Sequence, residues 1–434
     1  MSLPAVERMK KRLSLVELVP GMALAADMCR EDGVLLLPAG TTLSERHLAL
    51  FPVWGVEAAV VADPGEAQGD GAVDATQSDP APEPLTPEQW QAAAAAIRPR
   101  FVHVDLEHPG MAAIFALCPP RAARLLRQRS GACVGLPMPV SPESLPQPPG
   151  GTSPGPMALI ESDPKLSSLP DVFVRISEVL NDPLSTSQEA AEAIGKDTGL
   201  SAKLLRLVNS AFYGFPVKVD TLSRAVTIVG SRQLTTLALG LSVIAVFKDL
   251  PEGLVDMRSF WKHSIGCGVV AASLPGPNGS GDMERLFVAG LLHDVGRLVL
   301  YRCLPKHLAR ILAMARTEGK LLREVERREL GYDHAALGGM LLRRWRFPEN
   351  LEKAVRHHHG LAAMPQAPMP AAVHVADVTI GALGLGSSGE VYVPPLRAEA
   401  WNVLELTPER ITTAVATAEV QIEDILRAFL PEDA

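Results

Sequence analysis

Apolar residues along this chain recur mostly at spacings of three and four, as in helices with one buried face. Val172, Ile176, Val179 and Leu180 share such a face. So do Leu204, Leu205, Val208 and Phe212, and then Leu222, Ala225, Val226 and Val229, with Gly230 as a C-terminal stop. A long stripe of Ile411, Val415, Ala418, Ile422, Ile425 and Phe429 predicts a last helix with Thr407 as N-cap and Pro408 at its first position. Thr86 with Gln89, and Thr186 with Glu189, have capping-box spacing. No strand is expected between residues 166 and 390. Leu234–Phe247 is the most apolar run but is shorter than the ~20 residues of a spanning helix. It predicts a buried core helix.

The N-terminal pattern differs. Met22–Asp27 and Val34–Leu37 flank the turn signal Glu31-Asp32-Gly33, which suggests a hairpin. A helix over Ser44–Phe51 and a strand over Val56–Val61 would follow. Residues 1–62 are thus expected to form a small β-containing module. Residues 63–84 have too few large apolar side chains to offset ordering entropy and read as a linker. A helical insert is expected over 85–135, with its second helix at Met111–Arg129. A Pro/Gly/Ser-rich linker covers 136–163. A helical domain with a C-terminal helical extension fills 164–434. The expected fold class is mainly α.

Composition narrows the function classes. The chain has 434 residues, 47% hydrophobic and 21% charged, with a formal net charge of −8. That balance argues against nucleic-acid binding. The basic runs Lys10-Lys11-Arg12 and Arg121–Arg129 are short and read as solvated helix faces. Five cysteines without C-x-x-C spacing imply reduced thiols. The first 22 residues lack the apolar core of a signal peptide. A cytoplasmic protein without membrane insertion is expected.

The chemistry sits where polar residues interrupt apolar faces. Arg285–Arg297 reads as one apolar helix, yet it holds His293 and Asp294 side by side. A buried carboxylate or imidazole needs a partner. Helical phase turns His263, His293, Asp377 and His358 inward, with Asp294 one position around and His334 opening its helix after Asp333. In the His357–His359 run, His357 and His359 should flank the inward His358. His374 is a further candidate partner. Such a set fits either a hydrogen-bonded network or a divalent metal: Mn, Fe or Zn, or Mg if more oxygens join.

His263, then His293-Asp294, then Asp377 resemble the H…HD…D signature of the HD superfamily. That resemblance implies metal coordination by these four residues, with His334 and His358 as candidates for a second position. More specifically, the chain resembles the HDOD family, the HD-related output domain of bacterial signalling proteins. The resemblance is carried by Ser168–Phe173 (SLPDVF), Leu204–Gly214 (LLRLVNSAFYG), Ala225–Gly230 (AVTIVG) and Phe260–Ser264 (FWKHS). It continues in Ala289–Gly296 (AGLLHDVG), Gly331–Leu342 (GYDHAALGGMLL) and Trp345–Gly360 (WRFPENLEKAVRHHHG), and spans residues 165–360. The N-terminal segment resembles a short module that precedes bacterial HD-type signalling domains.

The HD-GYP phosphodiesterases carry Lys where this chain has Arg297, and their G-x-G-Y-P segment is missing after His359. Family resemblance therefore implies an intracellular signal-transduction output module acting through protein or small-ligand binding, with a vestigial or structural metal site. An unknown signalling protein is the implied partner, with self-association left open. The alternative is a metal-dependent phosphohydrolase of a nucleotide or cyclic dinucleotide. There Asp294 would serve the metal and Arg297 would contact the phosphate.

Overall fold

The computed structural model describes residues 86–128 and 153–430, with short breaks at 168–170, 183, 216, 249, 251–253, 275–282 and 365, and parts of 10–62. By contacts the chain divides into two compact units. One is Met1–Pro84 with Tyr213–Lys218, the other Leu85–Phe212 with Val219–Ala434.

Strands β1 (Lys10–Ser14), β2 (Met28–Cys29), β3 (Leu35–Leu37) and β4 (Ala58–Ala62) form two antiparallel pairs, β1 with β4 and β2 with β3. Leu13 lies opposite Ala59, and both join Leu24, Met28, Phe51 and Val61 in a small core. The hairpin is thus present, but its first strand starts later than the Met22–Asp27 run. Lys10-Lys11-Arg12 lies on a strand, not a helix. Lys11 and Arg12 are exposed while Leu13 is buried. The helix expected over Ser44–Phe51 and the linker at 63–84 lie largely outside the described residues.

The second unit is helical. It runs through α1 (Pro87–Ile97), α2 (Pro109–Gln128), α3 (Pro156–Ser162), α4 (Pro164–Ser167), α5 (Asp171–Asn181), α6 (Ser187–Gly195) and α7 (Thr198–Val208). Next come α8 (Leu222–Val229), α9 (Ser231–Val246), α10 (Met257–Ser273), α11 (Met283–Leu292), α12 (Val295–Cys303) and α13 (Pro305–Glu318). It ends with α14 (Leu322–Leu330), α15 (His334–Arg344), α16 (Glu349–His357), α17 (Pro368–Leu383), α18 (Ala398–Val403) and α19 (Pro408–Phe429). The protein is therefore mainly α, with a small β-containing module first.

Both predicted capping boxes form. Thr86 accepts from the Gln89 amide and Thr186 from the Glu189 amide, each at 3.2 Å. Residues 156–162, read from composition as linker, instead form α3. Pro156 starts it at a position where a missing N–H costs nothing, and Leu159 and Ile160 are buried. Within the second unit α2 packs on α17 and α19. There Arg121, expected on a solvated face, pairs with Glu419.

Helix α10 lies at the centre, packed on α11, α17 and α19. Its approach to α11 requires small residues. A Cβ on Gly290 would sit 2.6 Å from the Cys267 backbone, and one on Gly268 would sit 2.6 Å from Phe287 O. The apolar run expected in the core is α9, whose residues are almost all buried. Among the described residues no single helix is long and apolar enough to cross a membrane.

The Asn209–Gly214 stretch has a clear structural task. Asn209 Nδ2 donates to Leu205 O and Val219 O, each at 2.7 Å, and its Oδ1 accepts from Val219 N at 2.8 Å. The side chain thus closes the base of the connection between α7 and α8. Three net hydrogen bonds at about 1 kcal/mol each predict that Asn209→Ala loses about 2–3 kcal/mol, and that Asn209→Asp, which sets a carboxylate oxygen against the Leu205 and Val219 carbonyls, loses at least as much. Urea unfolding of the two variants checks this order.

Candidate metal centre

The expected single helix over Arg285–Arg297 is broken. Helix α11 ends at Leu292, His293 and Asp294 form a turn, and α12 starts at Val295. Asp294 has φ −98° and ψ 13°, outside the helical region, and Arg297 N donates to Asp294 O at 2.8 Å. Gly296 makes the turn workable by letting α12 meet α15 backbone to backbone. A Cβ there would lie 2.0 Å from His334 O.

The turn brings every predicted residue into one cluster. His263 comes from α10, His334 from the start of α15, His358 from just beyond α16, and Asp377 from α17. His263 Nε2 is 3.2 Å from Asp377 Oδ1 and 3.9 Å from Asp294 Oδ2. His293 Nε2 is 3.3 Å from Asp294 Oδ2 and 3.6 Å from Asp377 Oδ1. His334 Nε2 is 3.1 Å from Asp294 Oδ1. The His358 ring centroid lies 5.2 Å from that of His293 and 5.6 Å from that of His334.

Three residues that the sequence reading did not place belong to the same cluster. Glu326 takes His334 Nδ1 at 2.6 Å and His334 N at 2.9 Å. His359, expected to flank, is buried and shares a three-histidine group with His334 and His358, because the chain leaves the helix after His357. Cys267, one turn beyond His263, puts Sγ 3.6 Å from His263 Nε2. Its i+4 spacing from His263 was a legible signal; nothing in sequence tied Glu326 to His334. His374 is buried and accepts from Arg397 N at 3.1 Å, a structural role.

Arg297 turns inward. It donates to Asp294 Oδ2 at 3.2 Å and to the Ser388 hydroxyl, and its Nε is 3.7 Å from Glu326 Oε1. Two buried carboxylates, Asp294 and Glu326, thus face the buried Arg297 guanidinium, and Asp377 adds a third beside His263 and His293. The resulting demand for positive charge appears in the titration of the histidines. Burial disfavours the His293 imidazolium, yet Asp294 and Asp377 outweigh it and raise the group to about 10. Burial, His293 and His334 lower His358 to about 3, so it stays neutral. Burial opposes charge on Asp294 as well, but Arg297, His293 and His334 hold it well below the usual carboxylate range.

The donor orientation fits a metal. His293 Nδ1 lies 2.7 Å from Gly290 O, His358 Nδ1 2.6 Å from Val355 O, and His334 Nδ1 2.6 Å from Glu326. These oxygens only accept, so each Nδ1 carries a proton and each Nε2 presents a lone pair when its ring is neutral, as it is in a metal-bound imidazole. Those three Nε2 atoms and Asp294 Oδ1 are buried without hydrogen-bond partners. Nε2 atoms that face one another and carboxylates are satisfied by a shared proton or by a metal ion that replaces it, and a fixed Nδ1–H is how metal-binding imidazoles are oriented. Among the described residues three donor groups are close enough for an ion: His263, Cys267, His293 and Asp377; His293, Asp294 and His358; and His334, His358 and His359.

Comparison with known proteins agrees with this architecture. Residues 166–361 match the family model of the HDOD domain. An uncharacterized protein of Treponema pallidum (strain Nichols) is 26% identical over 220 residues, which are 50% of this chain and 42% of that protein. The chain thus spans less than half the length of that curated relative. An HDOD domain protein of unknown function from Geobacter sulfurreducens is 23% identical, with a TM-score of 0.53 over 64% of this chain and 97% of its own. A Shewanella amazonensis SB2B protein, provisionally described as a phosphohydrolase, is 21% identical with a TM-score of 0.51 over the same shares. Both likenesses show the fold.

Proposed function

We propose that this chain, whose residues 166–361 are an HDOD domain, is a signal-transduction output protein that binds another protein or a small ligand. Its buried cluster holds a divalent cation for structural purposes. The observation that carries this reading is burial. His293, His334 and His358 are 0% exposed, Asp294 2% and Arg297 3%. Metal-assisted hydrolysis needs the phosphate oxygen at the ion and an activated water in line with the leaving group. A site this enclosed offers a nucleotide no approach. Arg297, the residue a phosphate would recruit, is already engaged by Asp294 and Ser388.

A cavity of about 390 Å³ lies elsewhere in the helical unit, bordered by Arg100, Cys118, Asp256, Ser259, Arg316 and Glu390. Its volume suits a small ligand, and none of the six predicted metal-ligand residues lines it. A bound cation would neutralise the carboxylates and tie α10, the His293-Asp294 turn, α15 and α17 together.

The alternative, a metal-dependent phosphohydrolase of a nucleotide or cyclic dinucleotide, uses the same donors with Asp294 and Arg297 in catalytic roles. The 434-residue chain loaded in turn with Mn²⁺, Zn²⁺ and Mg²⁺ is expected to leave aryl phosphates, nucleotides and cyclic dinucleotides intact. Turnover that disappears in Asp294→Ala would overturn the output-module reading in favour of hydrolysis.

A further inference from the structure

Cys267 is 0% exposed and lies one turn after His263 on α10, so both side chains leave the same face. One donor atom each from His263, Cys267, His293 and Asp377 lie within 4.8 Å of one another. In a tetrahedral site with bonds of about 2.0–2.3 Å, neighbouring donors stand roughly 3.3–3.7 Å apart. Three of the six separations are 3.6 Å for Cys267–His263, 3.2 Å for His263–Asp377 and 3.6 Å for His293–Asp377, and the other three lie within 4.8 Å. Asp294 is outside this four-donor set: its Oδ1 lies 3.1 Å from His334 Nε2, and its Oδ2 is shared between Arg297 at 3.2 Å and His293 at 3.3 Å.

We propose that Cys267 is a metal ligand whose thiolate, with His263, His293 and Asp377, completes a closed four-donor site for a thiophilic divalent cation. The inference rests on the reading of the cluster as a cation site. On binding, the S–H bond breaks, its proton leaves to solvent, and a sulfur–metal bond forms with no change of oxidation state. A soft thiolate beside two imidazoles selects Zn²⁺ or Fe²⁺ over Mg²⁺ and Mn²⁺. Four protein donors leave no open position for water, as in structural rather than catalytic zinc sites. Asp294 then acts as the charge that holds Arg297 and His334 in place.

The test is the absorption spectrum of the full chain loaded with Co²⁺, beside Cys267→Ser and Cys303→Ser. The expected result is a near-ultraviolet thiolate-to-cobalt band with strong tetrahedral visible bands, retained in Cys303→Ser. In Cys267→Ser the near-ultraviolet band should vanish and Zn²⁺ affinity should fall on the order of 100-fold. Bound cobalt without the thiolate band in the wild-type chain would overturn Cys267 as a ligand and leave it a hydrogen-bond partner of His263, with the cation site intact. No cobalt bound to folded protein would overturn the cation site itself. If Cys267→Ser fails to fold, X-ray absorption of the zinc-loaded wild-type chain decides. A sulfur at about 2.3 Å supports the ligand, and a shell of only nitrogen and oxygen rejects it.

Discussion

Asp294→Ala is expected to lose about 3–5 kcal/mol of stability, the cost of leaving a buried charge without its partner. The carboxylate accepts from Arg297 at 3.2 Å and lies 3.1 Å from His334 Nε2 and 3.3 Å from His293 Nε2. Its removal takes the nearest carboxylate from the Arg297 guanidinium, 3% exposed, and leaves it Ser388 and the more distant Glu326 and Glu390. The pH dependence follows from the direction of the shift. Burial raises the Asp294 carboxyl, but Arg297, His293 and His334 bring it well below its ordinary value. A group depressed in the folded state contributes stability that is complete above its unfolded value of about 3.9 and is lost as pH falls toward the folded one. The deficit of the variant should therefore be full at neutral pH and shrink in acid. Chemical denaturation at pH 7 and at about pH 2.5, below the unfolded value, measures both; equal deficits at the two values would show that the charge is not what matters.

Gly296→Ala is the second large effect. The new methyl would lie 2.0 Å from His334 O and 2.8 Å from Gly338 N, both backbone atoms that no rotamer change can move. Overpacking of well-packed cores costs about 1–3 kcal/mol, and a backbone collision belongs at or above the top of that range. Relief requires α12 and α15 to separate, which draws Asp294 from His334. Both melting temperature and metal retention should fall. Gly381→Ala on α17 is the control. Nothing lies within 4 Å of its Cβ, and Ala in a helix gains about 0.5–1 kcal/mol over Gly. Its melting temperature should hold or rise.

Much of this architecture was legible because helix periodicity is local. The stripes of α8 and α19, the caps at Thr86 and Thr186, and the apolar α9 follow from neighbours within one or two turns. The inward phase of His263 and Asp377 was legible for the same reason. What was missed depends on contacts between distant segments. The break at His293-Asp294 is set by backbone packing of Gly296 on His334, thirty-eight positions away in sequence. Glu326 reaches His334 across the turn between α14 and α15, and no periodicity announces that bond. Arg297 read as an anion contact because it stands where the phosphodiesterases carry Lys and can bind phosphate bidentately; in the fold its Nη1 donates to Asp294 and Ser388. In α3, Pro/Gly/Ser composition hid a helix that burial of Leu159 and Ile160 stabilises.

The central claim is that lone pairs from buried histidines and aspartates converge on a cation. It is tested most directly by plasma mass spectrometry of the full chain purified without chelator or affinity metal, beside His293→Ala. The account predicts a transition metal near one equivalent in the wild-type protein and its loss in the variant. Folded wild-type protein carrying no metal, and taking none up from solution, would contradict it.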